Sequence, residues 1–244
     1  MLYILLPIYN EMGNLASLFE KLDKGMKRRG FPYRVIAYND GSKDNSLEIL
    51  HQHKESIPVT IIGEASNKGL GVALNRLFKK ALEMSTDPDD IVVVLDSDNT
   101  HNPEHIYNVV NKLRDGFDVV IASRYLPDSR IVGVSMSRQL LSKGASWLMR
   151  TLFPLQGVKD YTSGYRGYSI ETLRKAYEKY GDRLIEERSF ACMAELLIKL
   201  RRMNIIAAEI PIILRYDYKK GDSKMNILQT VKRTLLMLCR LKKV

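Results

Sequence analysis

The sequence predicts an α/β fold with a mostly parallel, doubly wound sheet flanked by helices, and three observations carry that expectation. Short runs of Val, Ile and Leu alternate with helix-length amphipathic segments. Four such strand-then-helix units fall within about 115 residues, a spacing that calls for parallel strands joined by crossover helices. Each strand-like run also ends in polar residues, as the ligand-binding edge of an open α/β sheet does. At 244 residues, 45% of them hydrophobic and 27% charged, the chain is long enough for one domain spanning residues 1–244.

Taken in order, LYILLPIYNE is a strand that stops at Pro7, followed by a helix predicted from about Gly13 to Arg29. YRVIAYNDGSKDNSLEIL repeats the plan, with a strand ending near Asn39, a glycine turn, and a helix capped by Ser42 or Asp44. VTIIGEASNKGLGVALNRLFKKAL is a third strand, loop and helix. IVVVLDSD is a fourth strand, leading to a helix that starts near Pro103, and DVVIASRY is a fifth. FACMAELLIKL reads as an apolar helix. From Lys224 to Leu241, the residues Ile227, Leu228, Val231, Leu235, Leu238 and Leu241 recur at helical spacing, with Arg233 and Arg240 on the opposite side.

The fourth strand carries the chemistry. Asp96 and Asp98 lie one residue apart at its carboxyl end, and two carboxylates so placed repel each other unless a cation sits between them. Hard oxygen ligands suit Mg²⁺ or Mn²⁺ shared with a diphosphate. Alone, the same residues also read as an Asp/Asn turn. Their neighbours on the sheet edge favour a site: Pro7, Asn10 and Glu11 after the first strand, Asn39, Asp40 and Asp44 after the second, and Asn67, Lys68, Gly69 and Gly71 after the third. Such a crevice suits a nucleotide, with Asp40 on base or ribose and the glycine turn allowing close backbone approach. The turn has no third glycine, which argues against a dinucleotide oxidoreductase.

The net charge of +10 is concentrated at the end of the chain, where residues 215–244 hold nine Lys and Arg against two Asp. A basic amphipathic helix over residues 222–244 fits an anionic membrane surface, or else a packed final helix with a solvated face. MSRQLLSKGASWLMRTLF is a second interfacial candidate. No apolar run reaches the length of about 20 residues that a membrane span needs. Two distant cysteines and no leader-like opening point to a cytoplasmic protein, peripheral on the membrane. Nucleic acid is not an expected partner despite the charge, because zinc-finger spacing is missing and an acidic crevice repels a polyanion.

PIYNE, NDGSKDNS, NKGLGVALN, DSDNTHNPE, ASRY, SRQLLSKGAS, DYTSGYRGYS and KKGDSKMN, in this order, resemble a GT-A glycosyltransferase of family 2, and within it the polyprenyl-phosphate glycosyltransferases such as dolichol-phosphate mannose synthase. The resemblance implies an enzyme that moves a sugar, mannose or another hexose, from a GDP or UDP sugar to a polyprenyl phosphate with inversion. It places Pro7, Tyr9, Glu11 and Asp40 around the nucleoside, where the strand-end reading adds Lys68 and Gly69 of the glycine turn. It also puts Asp96 and Asp98 at the metal and diphosphate, and Arg124, Arg138 and Arg215 near phosphates. Relatives usually carry two acidic residues where this chain has Asn39 and Asp40, and often a Gln where it has Thr100, leaving His101 or water to complete the metal shell.

Many family 2 members with hydroxyl acceptors carry a Glu-Asp pair that supplies a general base, whereas FACMAELLIKL offers only Glu195. A hydroxyl must lose a proton as it attacks, but a phosphate monoester, with a second pKa of about 6, is already mostly ionised. Its needs are cationic, and Arg124, Arg138, Arg166, Arg215 and Lys224 are the candidates. Glu195 would bind sugar hydroxyls or neutralise a nearby Arg. The alternatives are a family 2 transferase with a hydroxyl acceptor and a non-enzymatic polyanion- or nucleotide-sugar-binding protein.

Overall fold

The computed structural model describes residues 1–221 and 227–242. Its strands are β1 (Leu2–Ile8), β2 (Tyr33–Asp40), β3 (Val59–Glu64), β4 (Ile91–Val94), β5 (Val119–Ser123), β6 (Arg130–Val132), β7 (Arg166–Ser169), β8 (Ala207–Pro211) and β9 (Ile213–Arg215). The α-helices are α1 (Met12–Arg29), α2 (Ser46–Gln52), α3 (Leu70–Met84), α4 (Ile106–Arg114), α5 (Met136–Leu152), α6 (Ile170–Tyr180), α7 (Cys192–Arg201) and α8 (Ile227–Lys242). Seven strands form one sheet in the order β3-β2-β1-β4-β7-β5-β8, and β6 pairs with β9 separately.

Both faces of the large sheet are covered, which is why its central strands read as unbroken apolar runs. Side chains alternate across β1: Leu2, Ile4, Leu6 and Ile8 pack with Leu15, Phe19 and Ile106 of α1 and α4. Tyr3 and Leu5 face Leu74 and Phe78 of α3, with Leu173 of α6 and Leu196 of α7 in the same core. From β1 the chain steps outward through β2 and β3, then returns to set β4 on the other side of β1. Connections therefore diverge at the carboxyl ends of β1 and β4, opening a crevice between them. Ser97 Oγ donates to the Pro7 carbonyl at 2.9 Å and ties the two strand ends together.

One strand departs from the parallel plan. β7 runs antiparallel to both β4 and β5, between which it is inserted. The sequence reading assigned no strand there, because RGYS is four residues long, polar, and without an apolar period. Its direction has a functional result: the segment 160–165 that precedes it arrives at the carboxyl edge beside Asp96. Gly167 is demanded by packing, since a Cβ there would lie 2.2 Å from Val109 Cγ1 of α4.

Two local expectations change. The N-cap of α2 is Asn45, not Ser42 or Asp44. Asp44 instead accepts from the Ser46 main-chain N–H at 3.0 Å, an Asx turn leading into the helix, while Ser42 Oγ accepts from Asn10 N. In α8, Met237, Leu238 and Leu241 are buried against the body, and Val231, Leu235 and Leu236 are exposed. Its arginines turn onto the protein's own carboxylates, Arg233 to Glu187 and Arg240 to Glu195. The described part of the tail is thus a helix packed on the body through Met237, Leu238 and Leu241, with both arginines paired. Lys224, expected at a phosphate, lies outside the described residues.

Candidate active site

The loop after β4 builds the acidic wall of the crevice. Asn99, at φ 64°, turns the chain sharply, and Asp98 beside it is 9% exposed. Asp98 Oδ1 accepts from Thr100 Oγ1 at 2.6 Å and from Thr100 N at 3.2 Å, while Oδ2 meets Lys219 Nζ at 2.7 Å. Burial would raise the Asp98 carboxyl, but Lys219 and the Thr100 hydroxyl more than compensate and hold it below the usual carboxylate range. Asp96 is 36% open to the crevice, yet the surrounding protein strips its hydration and pushes its pKa up. His101 opposes that rise and Asp98 adds to it. A Cβ at Gly164 would sit 3.1 Å from Asp96 Oδ1, so the glycine leaves the carboxylate its space.

Two crowded hard-oxygen donors fit Mg²⁺ or Mn²⁺, and among the described residues no third His, Cys, Asp or Glu joins them as a ligand group. Such a site takes its remaining ligands from water and a diphosphate. His101 does not complete it. Its Nδ1 is engaged by the Asp96 main-chain N–H at 3.0 Å, and its Nε2 lies 3.7 Å from Asp96 Oδ2. His101, buried against the Tyr165 ring, turns both ring nitrogens toward Asp96 instead.

On the opposite wall, Pro7 is half-buried near the end of β1, half-buried Tyr9 follows the strand, and Glu11 is 8% exposed with its carboxylate accepting from Asn14 Nδ2 at 2.6 Å. Asp40 Oδ1 accepts from Lys68 N at 2.8 Å and Oδ2 from Gly69 N at 2.9 Å, so this carboxylate clamps the glycine turn. The close approach expected at that turn is made by the protein itself. A Cβ at Gly69 would lie 2.6 Å from the Arg188 carbonyl oxygen, and one at Gly71 1.9 Å from that of Glu187. The glycines admit the 185–191 segment against α3.

The arginines separate into different roles. Arg124, just past β5, holds Asp160 through Nε at 2.8 Å and Nη2 at 2.7 Å, and Thr162 through Nη2 at 2.6 Å. Burial would raise the Asp160 carboxyl, but this guanidinium keeps it below its ordinary value. Arg138 sits half-buried in the first turn of α5. Arg215 pairs with Asp217 at 2.6 Å, lies over the Tyr218 ring, and lines a cleft with Lys21 and Arg28. Arg166 cannot meet an acceptor phosphate. It is fully buried in β7 and donates to the main-chain carbonyls of Met193 and Tyr161 at 2.6 and 2.7 Å.

Glu195 is likewise withdrawn from any sugar. It has no solvent exposure, accepts from Glu186 N and Glu187 N at 2.9 and 2.7 Å, and pairs with Lys199 and Arg240. Neutralising a nearby Arg, the second of its two expected roles, is what it does. Lys219 and Asp160 were not singled out from the sequence, though both lie inside motifs noted there. Their partners stand 121 and 36 positions away, beyond any local pattern.

A family model for glycosyl transferase family 2 matches residues 3–180, which include both walls of the crevice. The chain belongs to glycosyl transferase family 2. This family 2 transferase is 28% identical over 223 residues to a dolichol-phosphate mannosyltransferase of Pyrococcus furiosus, covering 91% of this chain and 58% of that protein. The chain thus spans little more than half of that relative. An undecaprenyl-phosphate mannosyltransferase of Micrococcus luteus is also 28% identical, over 224 residues, and 86% of it is covered. The fold of the family 2 transferase is GT-A. It superposes over its whole length on 80% of glucosyl-3-phosphoglycerate synthase from Mycobacterium tuberculosis, solved with Mn²⁺, UDP and glucosyl-3-phosphoglycerate, with a TM-score of 0.68 at 18% identity.

Proposed function

We propose that this chain transfers a hexose, mannose being the favoured sugar, from a GDP or UDP sugar to a polyprenyl phosphate with inversion at the anomeric carbon. The observation that carries the reading is the fate of Glu195. On the helix where a hydroxyl-using transferase would present its base, the carboxylate is buried and filled by two N–H donors and two cations. An acceptor that arrives already ionised needs no such base. The mannosyltransferases of P. furiosus and M. luteus support a lipid phosphate acceptor and a mannosyl donor.

In this reading the nucleoside lies between the ends of β1 and β2, with Pro7, Tyr9, Glu11 and Asp40 around it. Asp96 and Asp98 would hold Mg²⁺ or Mn²⁺, which supplies positive charge against the departing diphosphate. An oxygen of the lipid phosphate attacks the anomeric carbon as the bond to the β-phosphate oxygen breaks, and no proton is transferred. Arg124 and Arg138 supply positive charge on the acceptor side, Arg124 itself held in place by Asp160.

The acceptor brings the protein to a membrane. No helix among the described residues is long and apolar enough to cross one. α5, however, exposes Met136, Leu140 and Trp147 on one face, with Lys143 and Arg150 exposed beside them. Transfer to a short polyprenyl phosphate should greatly exceed transfer to the matching free alcohol, measured as radiolabelled sugar entering the organic phase. Comparable rates would overturn the phosphate reading in favour of a hydroxyl acceptor.

A further inference from the structure

Asp98 has no oxygen left over in this structure. Oδ1 is taken by the Thr100 hydroxyl and main-chain N–H, and Oδ2 by Lys219 Nζ at 2.7 Å, the two side chains being only 12% and 13% exposed. The ammonium lies in an acidic neighbourhood, in the field of Glu11 as well as of Asp98, and Tyr216 beside it feels both Asp96 and Asp98. The backbone that carries it is pinned on both sides. Arg215 N donates to the Thr100 carbonyl, and Lys220 exchanges two hydrogen bonds with Asn14 of α1, at 3.0 and 3.1 Å. Between these anchors the four-carbon stem of Lys219 can swing while its main chain stays in place.

We propose that Lys219 is a built-in competitor of the divalent cation: its ammonium neutralises the acidic pair while the donor site is empty, and must leave Asp98 when the metal binds. The two cations cannot share Oδ2, because a divalent ion placed there would meet a positive charge within hydrogen-bonding range in a poorly hydrated site. Loss of the Lys219 contact is therefore part of metal entry, and the protein avoids holding two bare carboxylates together between turnovers. The inference rests on Asp96 and Asp98 being the metal pair.

Mn²⁺ binding to the full chain without nucleotide, followed by the electron paramagnetic resonance of free Mn²⁺, tests it. Lys219→Met and Lys219→Gln should bind Mn²⁺ about tenfold more tightly or better, the scale of a lost charge-assisted hydrogen bond, while Lys219→Arg stays near the parent. Equal or weaker affinity in Met and Gln variants that keep the parent's circular dichroism would overturn the proposal. The unmutated protein gives a second measurement that does not depend on a variant folding. Acetylation of Lys219, read by mass spectrometry, should rise on adding saturating Mn²⁺ and not on adding equivalent ionic strength as NaCl. Unchanged labelling would count against displacement. Absence of Mn²⁺ binding to parent and variants alike, with or without UDP or GDP, would instead remove the metal reading itself and this inference with it.

Discussion

Replacing Asp160 with Ala should be among the most damaging single changes in the molecule. The carboxylate is wholly buried, carries three bonds from Arg124, and accepts from the main-chain N–H groups of Thr162 and Ser163 at 3.1 and 3.0 Å. Removing it leaves Arg124, whose side chain is 18% exposed, without its counter-charge and three main-chain N–H groups, of Arg124, Thr162 and Ser163, without this acceptor. Breaking a buried pair from one side costs about 3–5 kcal/mol, a large part of the roughly 5–15 kcal/mol that holds a domain together. At about 2–4 °C per kcal/mol for a chain of this size, Tm should fall by about 6–20 °C. Urea denaturation of Asp160→Ala, Arg124→Ala and the double variant is the assay. The double variant should lose clearly less than the two singles combined, by up to about 3 kcal/mol. Simple additivity would refute the claim that Arg124 and Asp160 act as one buried pair. The pair also sets an acid limit. Because the folded Asp160 carboxyl is held below its ordinary value, its contribution is complete above an unfolded pKa of about 4 and disappears as pH falls through the lower folded value. The difference between parent and Asp160→Ala should therefore be full at pH 7 and shrink below pH ~4.

Two further outcomes follow from the site. Gly71→Ala would drive a Cβ into the Glu187 carbonyl oxygen and strain the Gly71 N–H bond to Arg188, so we expect a loss of about 1–3 kcal/mol and faster proteolysis within 185–191, detectable by limited digestion. Asp98→Asn keeps the volume of the side chain but removes its charge, and should abolish transfer while circular dichroism stays that of the parent; EDTA should act alike. Full turnover in the variant or in chelator would dismiss the metal mechanism.

Several features of this protein are set by local pattern, and those were legible in the sequence. Strands buried on both faces must be apolar throughout, so β1 to β5 announced themselves, and an apolar run cut short by Asp96 and Asp98 marked the candidate site's edge of the sheet. The resemblance carried by PIYNE, DSDNTHNPE and DYTSGYRGYS points to the family without any tertiary information. Tertiary structure decided what each side chain has for a partner. A buried charge must find its counter-charge wherever the fold places one, so Arg166, which read as a phosphate ligand, satisfies carbonyls within the core, and of the two readings of Glu195, sugar ligand or partner of a nearby Arg, the fold selects the second. The glycines at 69 and 71 read as allowing close backbone approach to a nucleotide but make room for residues 187–188. β7 was invisible because strand pairing is a property of neighbours distant in the chain, and its four residues, with no apolar run among them, gain their place only between β4 and β5. Lys219 reaches Asp98 across 121 positions of sequence, a contact that exists only because α1, the β4 loop and the segment after β9 converge on one crevice.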